Sequence, residues 1–169
     1  MNENYQPKMA KYLVENTAAF DKRIVTIVDV GARYGCNPLW ENAFGDKVIQ
    51  IGFEPDPDEF NKLNEGNSKR FTKNSKYYPL ALHRDKGKRI FYFTSYPAAS
   101  GFYKPDISFY NRFQMDTSVQ IEGTVLMDTV DFDSFANENR IKYVDFIKLD
   151  VEGAEFDVLL GSKKYLQEG

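Results

Sequence analysis

This sequence predicts an α/β fold, a doubly wound parallel sheet with helices on both faces, and three observations predict it. From Ile24 to Gly35 a run of β-branched apolar residues ends in Asp29, Gly31 and Gly35. With no polar alternation before Asp29, it reads as a strand buried on both faces. Helical and strand patterns then alternate, which is the order that builds a parallel sheet. A second apolar strand, Val144 to Leu149, runs into Asp150-Val151-Glu152-Gly153 and a further helical pattern.

Each element has its own signal. Lys8 to Phe20 reads as a short amphipathic helix, with Met9, Leu13 and Phe20 on its apolar face and Asp21-Lys22 as its end. After the first strand, Asn37-Pro38 pairs an N-cap with proline at the first helical position. Leu39, Trp40 and Phe44 give that helix a buried side, and Gly45 stops it. Val48 to Glu54 is the second strand. Asp56-Pro57 repeats the cap for a helix through Leu63, with Gly66 beyond it. Tyr77 to Leu82 is a third, short strand.

The alternation is then interrupted. Asp85-Lys86-Gly87-Lys88 is a hairpin-like turn into a strand, Arg89 to Thr94. Ser95 to Asp116 is long, irregular and rich in aromatics, a content that favours packing over disorder. Val119 to Met127 is a further strand and Asp131 to Asn139 a helix. After Gly153 comes a helix with Phe156, Leu159 and Leu160 at i, i+3 and i+4. The expectation is a single domain over 1–169, with an N-terminal helix at 8–20 and an inserted hairpin and loop at 85–127.

Composition narrows the function. A chain of 169 residues can bury a sizeable core. The net charge is −3 and no Lys/Arg run stands out, so a nucleic-acid partner is not expected. No apolar stretch approaches the ~20 residues of a membrane span, and the segment after Met1 is polar and of mixed charge, unlike a signal peptide. Cys36 is the single cysteine, which excludes an intrachain disulfide and fits a reducing, cytoplasmic setting. With one histidine, His83, there is no His/Cys zinc site.

Two cofactor classes compete for the glycine-rich turn after the first strand. A dinucleotide site wants Gly-x-Gly-x-x-Gly, because its pyrophosphate rests on bare amides at the helix start. Here Arg33 stands where the second glycine belongs, and Gly35 falls one place short of the third. S-adenosylmethionine has no pyrophosphate and needs a loop for its methionine end and an acid for its ribose. Asp29-x-Gly31-x-x-x-Gly35 suits the first need. Glu54, closing the second strand, suits the other by accepting hydrogen bonds from ribose hydroxyls. The plain alternative is a tight turn and a solvated strand end. Asp150 and Glu152, two apart at the end of an extended strand, point the same way. They are placed to hold an ammonium or orient a substrate hydroxyl; the plain alternative is that Glu152 only favours a helix N-terminus.

These residues resemble the FkbM-type S-adenosylmethionine-dependent methyltransferases, from about Ile24 to Leu166. Val28-Asp29-Val30-Gly31-Ala32-Arg33-Tyr34-Gly35 is similar to the family's first motif, and Gly52-Phe53-Glu54-Pro55-Asp56-Pro57 to its second. Tyr78-Pro79-Leu80-Ala81-Leu82, Lys86-Gly87 and Phe91-Tyr92-Phe93 look like its third strand and hairpin. Asp145 to Glu155, with Lys148-Leu149-Asp150-Val151-Glu152-Gly153 at its centre, resembles its most specific signature. The resemblance implies a Rossmann-like class I methyltransferase sheet and O-methylation, commonly of a hydroxyl on a sugar, glycan or secondary metabolite. It implies that Asp29, Gly31 and Gly35 lie along the methionine moiety and that Glu54 binds the ribose. Pro55 and Asp56 would border the adenosine, and Ala81 and Leu82 the adenine. Asp150 and Glu152 would face the methyl-transfer site. Two departures stand out. The family often has two serines where this chain has Ser100-Gly101. It also continues into a fifth parallel strand and an antiparallel pair, so this chain is expected to be a shortened member with an exposed apolar strand edge.

Asp150 or Glu152 is the first candidate base and His83 the second, with an exposed loop histidine as the plain alternative. No metal is expected, although Asp150 and Glu152 are the ligand type a hard cation takes. Trp40, Tyr103 and Tyr110 are candidates for an acceptor pocket or for packing. Arg33 meets Asp56, a cofactor carboxylate or solvent, and Cys36 is a packed, idle thiol. Two other functions remain: a non-catalytic S-adenosylmethionine-binding module and a nicotinamide-dependent oxidoreductase.

Overall fold

A computed structural model describes residues 7–66, 72–114 and 119–167. The chain forms two compact units, one drawn from residues 1–79 and 142–148, the other from 80–141 and 149–168.

The first unit opens with α1 (Lys8–Asn16) and a 3-10 turn, Ala18–Phe20, where one continuous helix was expected. Thr17 separates them: its backbone is extended, and its amide and hydroxyl both donate back to the carbonyl of Leu13. Met9 and Leu13 are exposed rather than buried. An amphipathic pattern gives a helix an apolar side but supplies no surface to cover it. Phe20 does pack, with Trp40 and Phe44, on the core of Val25, Ile27 and Val48.

β1 (Val25–Val30) pairs in parallel with β2 (Val48–Phe53), in register from Val25 opposite Val48 to Val30 opposite Phe53. β2 pairs in parallel with β3 (Ser75–Tyr78). The sheet order is β3-β2-β1 with a late strand, Phe146–Leu149, on the far side of β1. Apolar residues on both faces of β1 explain its unbroken hydrophobic run: Ile27, Val28 and Val30 are all buried. Asp145 fixes the start of the late strand. Its amide donates to the carbonyl of Thr26 at 2.9 Å, and its carboxylate accepts from Thr26 N at 2.8 Å. The two loops leaving β1 and β2 end in capped helices. Asn37 accepts from Leu39 N ahead of α2 (Pro38–Phe44), and Asp56 from Asp58 N and Glu59 N ahead of α3 (Pro57–Asn64). Each cap is worth about 1 kcal/mol and fixes where the preceding loop ends.

The expected third strand, Tyr77 to Leu82, is two strands. β3 ends at Tyr78, and β4 (Ala81–Leu82) belongs to the second unit's sheet. Pro79 lies between them; without an N–H it cannot continue the ladder.

In the second unit β4 lies parallel to β6 (Ile121–Val130), which lies antiparallel to β5 (Gly87–Thr94). The turn before β5 is held by Arg89 against Asp85 and by the Thr129 hydroxyl, which donates to the carbonyls of Asp85 and Gly87. The aromatic segment is partly ordered by a bridge between Tyr92 and Gly101 and by a short helix, α4 (Ile107–Asn111), capped by Asp106; Met115 and Asp116 of the expected loop lie outside the described residues. The helix expected over Asp131 to Asn139 is α5 (Phe132–Glu138), with Asp131 as its N-cap. The late strand, β7 (Phe146–Leu149), is followed by α6 (Glu155–Leu160) and α7 (Lys163–Gln167). The buried face of α6 is Asp157 and Val158, whereas Phe156 is 68% exposed and Leu159 37%. Phe156 and Leu159 of the i, i+3, i+4 pattern therefore face outward, Leu160 is half-buried, and a carboxylate faces in.

Candidate functional site

The loop after β1 takes its shape from three residues with positive φ. Gly31 has φ +81, Tyr34 φ +71 and Gly35 φ +98, all in the left-handed region. The amides of Gly31 and Ala32 both donate to the carbonyl of Phe53, at 3.1 and 2.9 Å, which ties the loop to the end of β2. Gly35 N donates to Ala32 O at 2.9 Å, and Cys36 N to the hydroxyl of Tyr77 at 3.0 Å. A dinucleotide site would need bare amides here. At these four positions the amides are committed within the protein, because a loop that doubles back on its neighbouring strand spends its donors on that strand. A pyrophosphate would find no cradle of free N–H groups at those positions. Tyr77 is held close: a Cβ on Gly52 would lie 2.5 Å from its ring.

Glu54 follows β2 directly and is 4% exposed. The amide of Asp56 donates to its Oε1 at 2.9 Å. Burial, only partly offset by that hydrogen bond and by Arg33, pushes its carboxyl up to about 7. Arg33 reaches over from the first loop to Asp56, at 3.2 Å, and to Glu59, at 3.6 Å, with its guanidinium 5.7 Å from the Tyr34 ring centroid. Of the three partners weighed for Arg33, Asp56 is the one it meets. Pro55 is half-buried between Glu54 and the cap. The fold thus brings Gly31 and Arg33 of the first loop together with Phe53, Glu54 and Asp56.

Asp29 is 6% exposed, and Lys148 of β7 is its counter-ion, with Nζ 3.0 Å from Oδ1. The same ammonium donates to the carbonyl of Gly31 at 3.1 Å. The sequence reading missed Lys148; the signal was there, a single cation inside an apolar strand. Cys36 is fully buried, and burial together with the Asp29 charge pushes its thiol up to about 12, so it is the idle, packed thiol expected. Trp40 serves packing: its ring centroid lies 4.9 Å from that of Phe146.

In the second unit, Ala81 and Leu82 are buried at 4% and 3%, opposite Thr129 and Val130. Asp150 is exposed, and the strand has already ended at Leu149. Glu152 has φ +52, so the strand alternation invoked to align it with Asp150 does not apply. The two are near each other nonetheless. Partial burial, then the charges of Asp150 and Glu155, raise the Glu152 carboxyl above its ordinary value. Glu155, the first residue of α6, reaches back to the loop before it and accepts from Val151 N at 3.1 Å and Gly153 N at 3.0 Å. Gly101, in place of the family's second serine, has a reason here. A Cβ would lie 3.2 Å from the Glu152 carbonyl and 3.3 Å from that of Val151.

His83 is not an exposed loop histidine; it is 6% exposed. Its amide donates to Val130 O at 3.0 Å, and its ring meets Phe102 edge-on at 5.4 Å. Burial and the neighbouring Arg89 lower its pKa, against the pull of Asp157. Asp157, 1% exposed, gathers His83 Nε2 at 3.4 Å, Arg84 Nε at 2.5 Å and the Tyr103 hydroxyl at 2.5 Å. Burial pushes the Asp157 carboxyl up, but the hydrogen bonds from Tyr103 and Arg84 outweigh it and the net movement is downward. The Tyr103 hydroxyl is therefore bonded to a buried carboxylate while its ring stays half-exposed. Tyr110 packs edge-on against Phe109, with centroids 6.0 Å apart.

The family model for the methyltransferase FkbM domain matches residues 29–168. The chain belongs to the FkbM methyltransferase family. No curated protein and no solved structure matches it. The FkbM match runs from Asp29 through Glu54 to the Asp150–Glu155 signature, and it makes this α/β chain, with its mostly parallel main sheet, a methyltransferase that needs a methyl donor. Among the described residues of this FkbM chain, no helix is long and apolar enough to cross a membrane, and no group of three or more His, Cys, Asp or Glu is arranged for a metal.

Proposed function

We propose that this chain is an S-adenosylmethionine-dependent O-methyltransferase acting on a hydroxyl of a sugar, glycan or other small metabolite in the cytoplasm, without a nucleic-acid or membrane partner. The observation that carries the reading is the junction of β1 and β2. A buried carboxylate, Glu54, adjoins a glycine loop whose amides at Gly31, Ala32, Gly35 and Cys36 are already bonded. That combination fits a ribose without a diphosphate, and it disfavours a nicotinamide dinucleotide.

When bound, S-adenosylmethionine supplies an activated methyl group. Glu54 would hold it through the ribose hydroxyls, Asp29 through the ammonium, with Gly31 and Gly35 along the methionine moiety. Pro55 and Asp56 would border the adenosine, with Ala81 and Leu82 assigned to the adenine by resemblance alone. Asp150 and Glu152 are the residues we assign to the acceptor's proton. A carboxyl raised toward neutrality, as that of Glu152 is, is a better proton acceptor than an ordinary one.

The test is transfer of labelled methyl from S-adenosylmethionine to a panel of glycans and small polyols. Turnover that falls at least a hundredfold in Asp150→Asn or Glu152→Gln supports the reading. Tight cofactor binding with no turnover on any acceptor supports a binding module instead.

A further inference from the structure

Lys148 is a cation in an otherwise apolar strand segment, Phe146-Ile147-Lys148-Leu149. Its ammonium is anchored twice, 3.0 Å from Asp29 Oδ1 and 3.1 Å from the carbonyl of Gly31. Asp29 is nearly enclosed, with 9% of its side chain exposed, while 36% of the Lys148 side chain remains open to solvent. Side by side at a glycine turn there are therefore one largely buried carboxylate and one ammonium on a side chain that is about one-third open to solvent. Gly31, whose φ of +81 favours glycine, has no side chain to screen the pair.

That is the charge pattern an α-amino acid carries in reverse. Its ammonium and carboxylate hang from one carbon, a few ångströms apart. A site with only Asp29 would attract the ammonium and repel the carboxylate; adding Lys148 removes the repulsion and supplies a donor. We infer that Lys148 is a specificity-determining residue that binds the carboxylate of the cofactor's amino-acid end while Asp29 takes its ammonium, so that the pair reads the zwitterion as a unit. The inference rests on the S-adenosylmethionine reading above. It predicts selection against nucleosides that lack an amino-acid end and against those that carry the amine alone.

Calorimetry with three probes separates the possibilities: S-adenosylhomocysteine, its decarboxylated analogue, and 5′-methylthioadenosine, which has no amino-acid end. Wild type should bind the first at least tenfold more tightly than the second. In Lys148→Met that preference should vanish, with S-adenosylhomocysteine weakened tenfold or more and methylthioadenosine changed less than twofold. Retained methylthioadenosine binding is also the control for the fold. Should Lys148→Met not fold, Lys148→Gln decides by the same comparison. Equal weakening of all three probes would mean that Lys148 only props the Gly31 turn, and would overturn the inference. So would an undiminished preference for the carboxylate in the variant. Failure of wild type to bind any of the three would instead bring down the cofactor reading, and this inference with it.

Discussion

The amide of Asp56 donates to Oε1 of Glu54 at 2.9 Å, so the carboxylate that closes β2 is held by the cap of the helix that follows it. One short segment therefore sets both the position and the charge of the group assigned to the ribose. The hydrogen bond favours the ionised form, burial disfavours it, and burial wins.

Glu54 should cost the ligand-free chain stability at alkaline pH. Its folded pKa, about 7, lies above the ordinary 4.5. A raised pKa means that the stability associated with the proton is complete below the unfolded value and is lost as pH rises through the folded one. The full loss is about 3 kcal/mol at roughly 1.4 kcal/mol per pH unit. Glu54→Gln should therefore gain on wild type by about 2 kcal/mol more at pH 8 than at pH 5. Urea unfolding at the two pH values measures this; a constant difference would contradict the buried-carboxylate account.

Ligand affinity should move the opposite way. Ribose hydroxyls donate to an ionised carboxylate, so binding favours the form that burial penalises. With a pKa of about 7, ionisation falls roughly tenfold between pH 8 and pH 6. Wild-type affinity for S-adenosylhomocysteine should fall by about the same factor, and the Glu54→Gln variant, weaker at both pH values, should show no such slope.

Asp157 should be a structural keystone of the second unit. Asp157→Asn removes the charge that holds Arg84 and Tyr103 and should cost about 2–4 kcal/mol. Tyr103→Phe loses one charge-assisted hydrogen bond from a half-exposed ring and should cost about 1.5 kcal/mol. The Asp157 carboxyl is depressed, so its contribution is present above the unfolded carboxylate range and is lost as pH falls through the folded value. Denaturant melts at neutral and acid pH check both the size and the sign.

Gly161→Ala should be costly where Gly123→Ala is not. A Cβ on Gly161 would run into the backbone carbonyl of His83 and lie 3.1 Å from the Asp131 Cβ, whereas Gly123 has nothing within 4 Å. Backbone cannot swing aside as a side chain can, so the first change should destabilise by about 2 kcal/mol or more. The second should stay within about 0.5 kcal/mol of wild type. Paired thermal melts decide it.

What could be read from the sequence was what short-range chemistry dictates. Asn37-Pro38, Asp56-Pro57 and Asp131 announced their helices because a cap and the amides it serves are two or three residues apart. The unbroken apolar run of β1 announced parallel neighbours. The misses are long-range. Nothing local says that α6 turns Asp157 inward and Phe156 outward; that follows from Arg84 and Tyr103, more than fifty residues away in the chain. The same holds for Lys148 and Asp29, 119 positions apart, and for the loop amides spent on Phe53. Pro79 was a local signal that should have divided the third strand, outweighed by the apolar residues on either side.

The central claim is that the junction of β1 and β2 takes S-adenosylmethionine, and titration calorimetry tests it most directly. S-adenosylmethionine and S-adenosylhomocysteine should bind saturably, NAD should not, and Glu54→Ala should weaken the first two at least tenfold. Binding of NAD in preference to S-adenosylmethionine, or no binding of either by the folded chain, would contradict it.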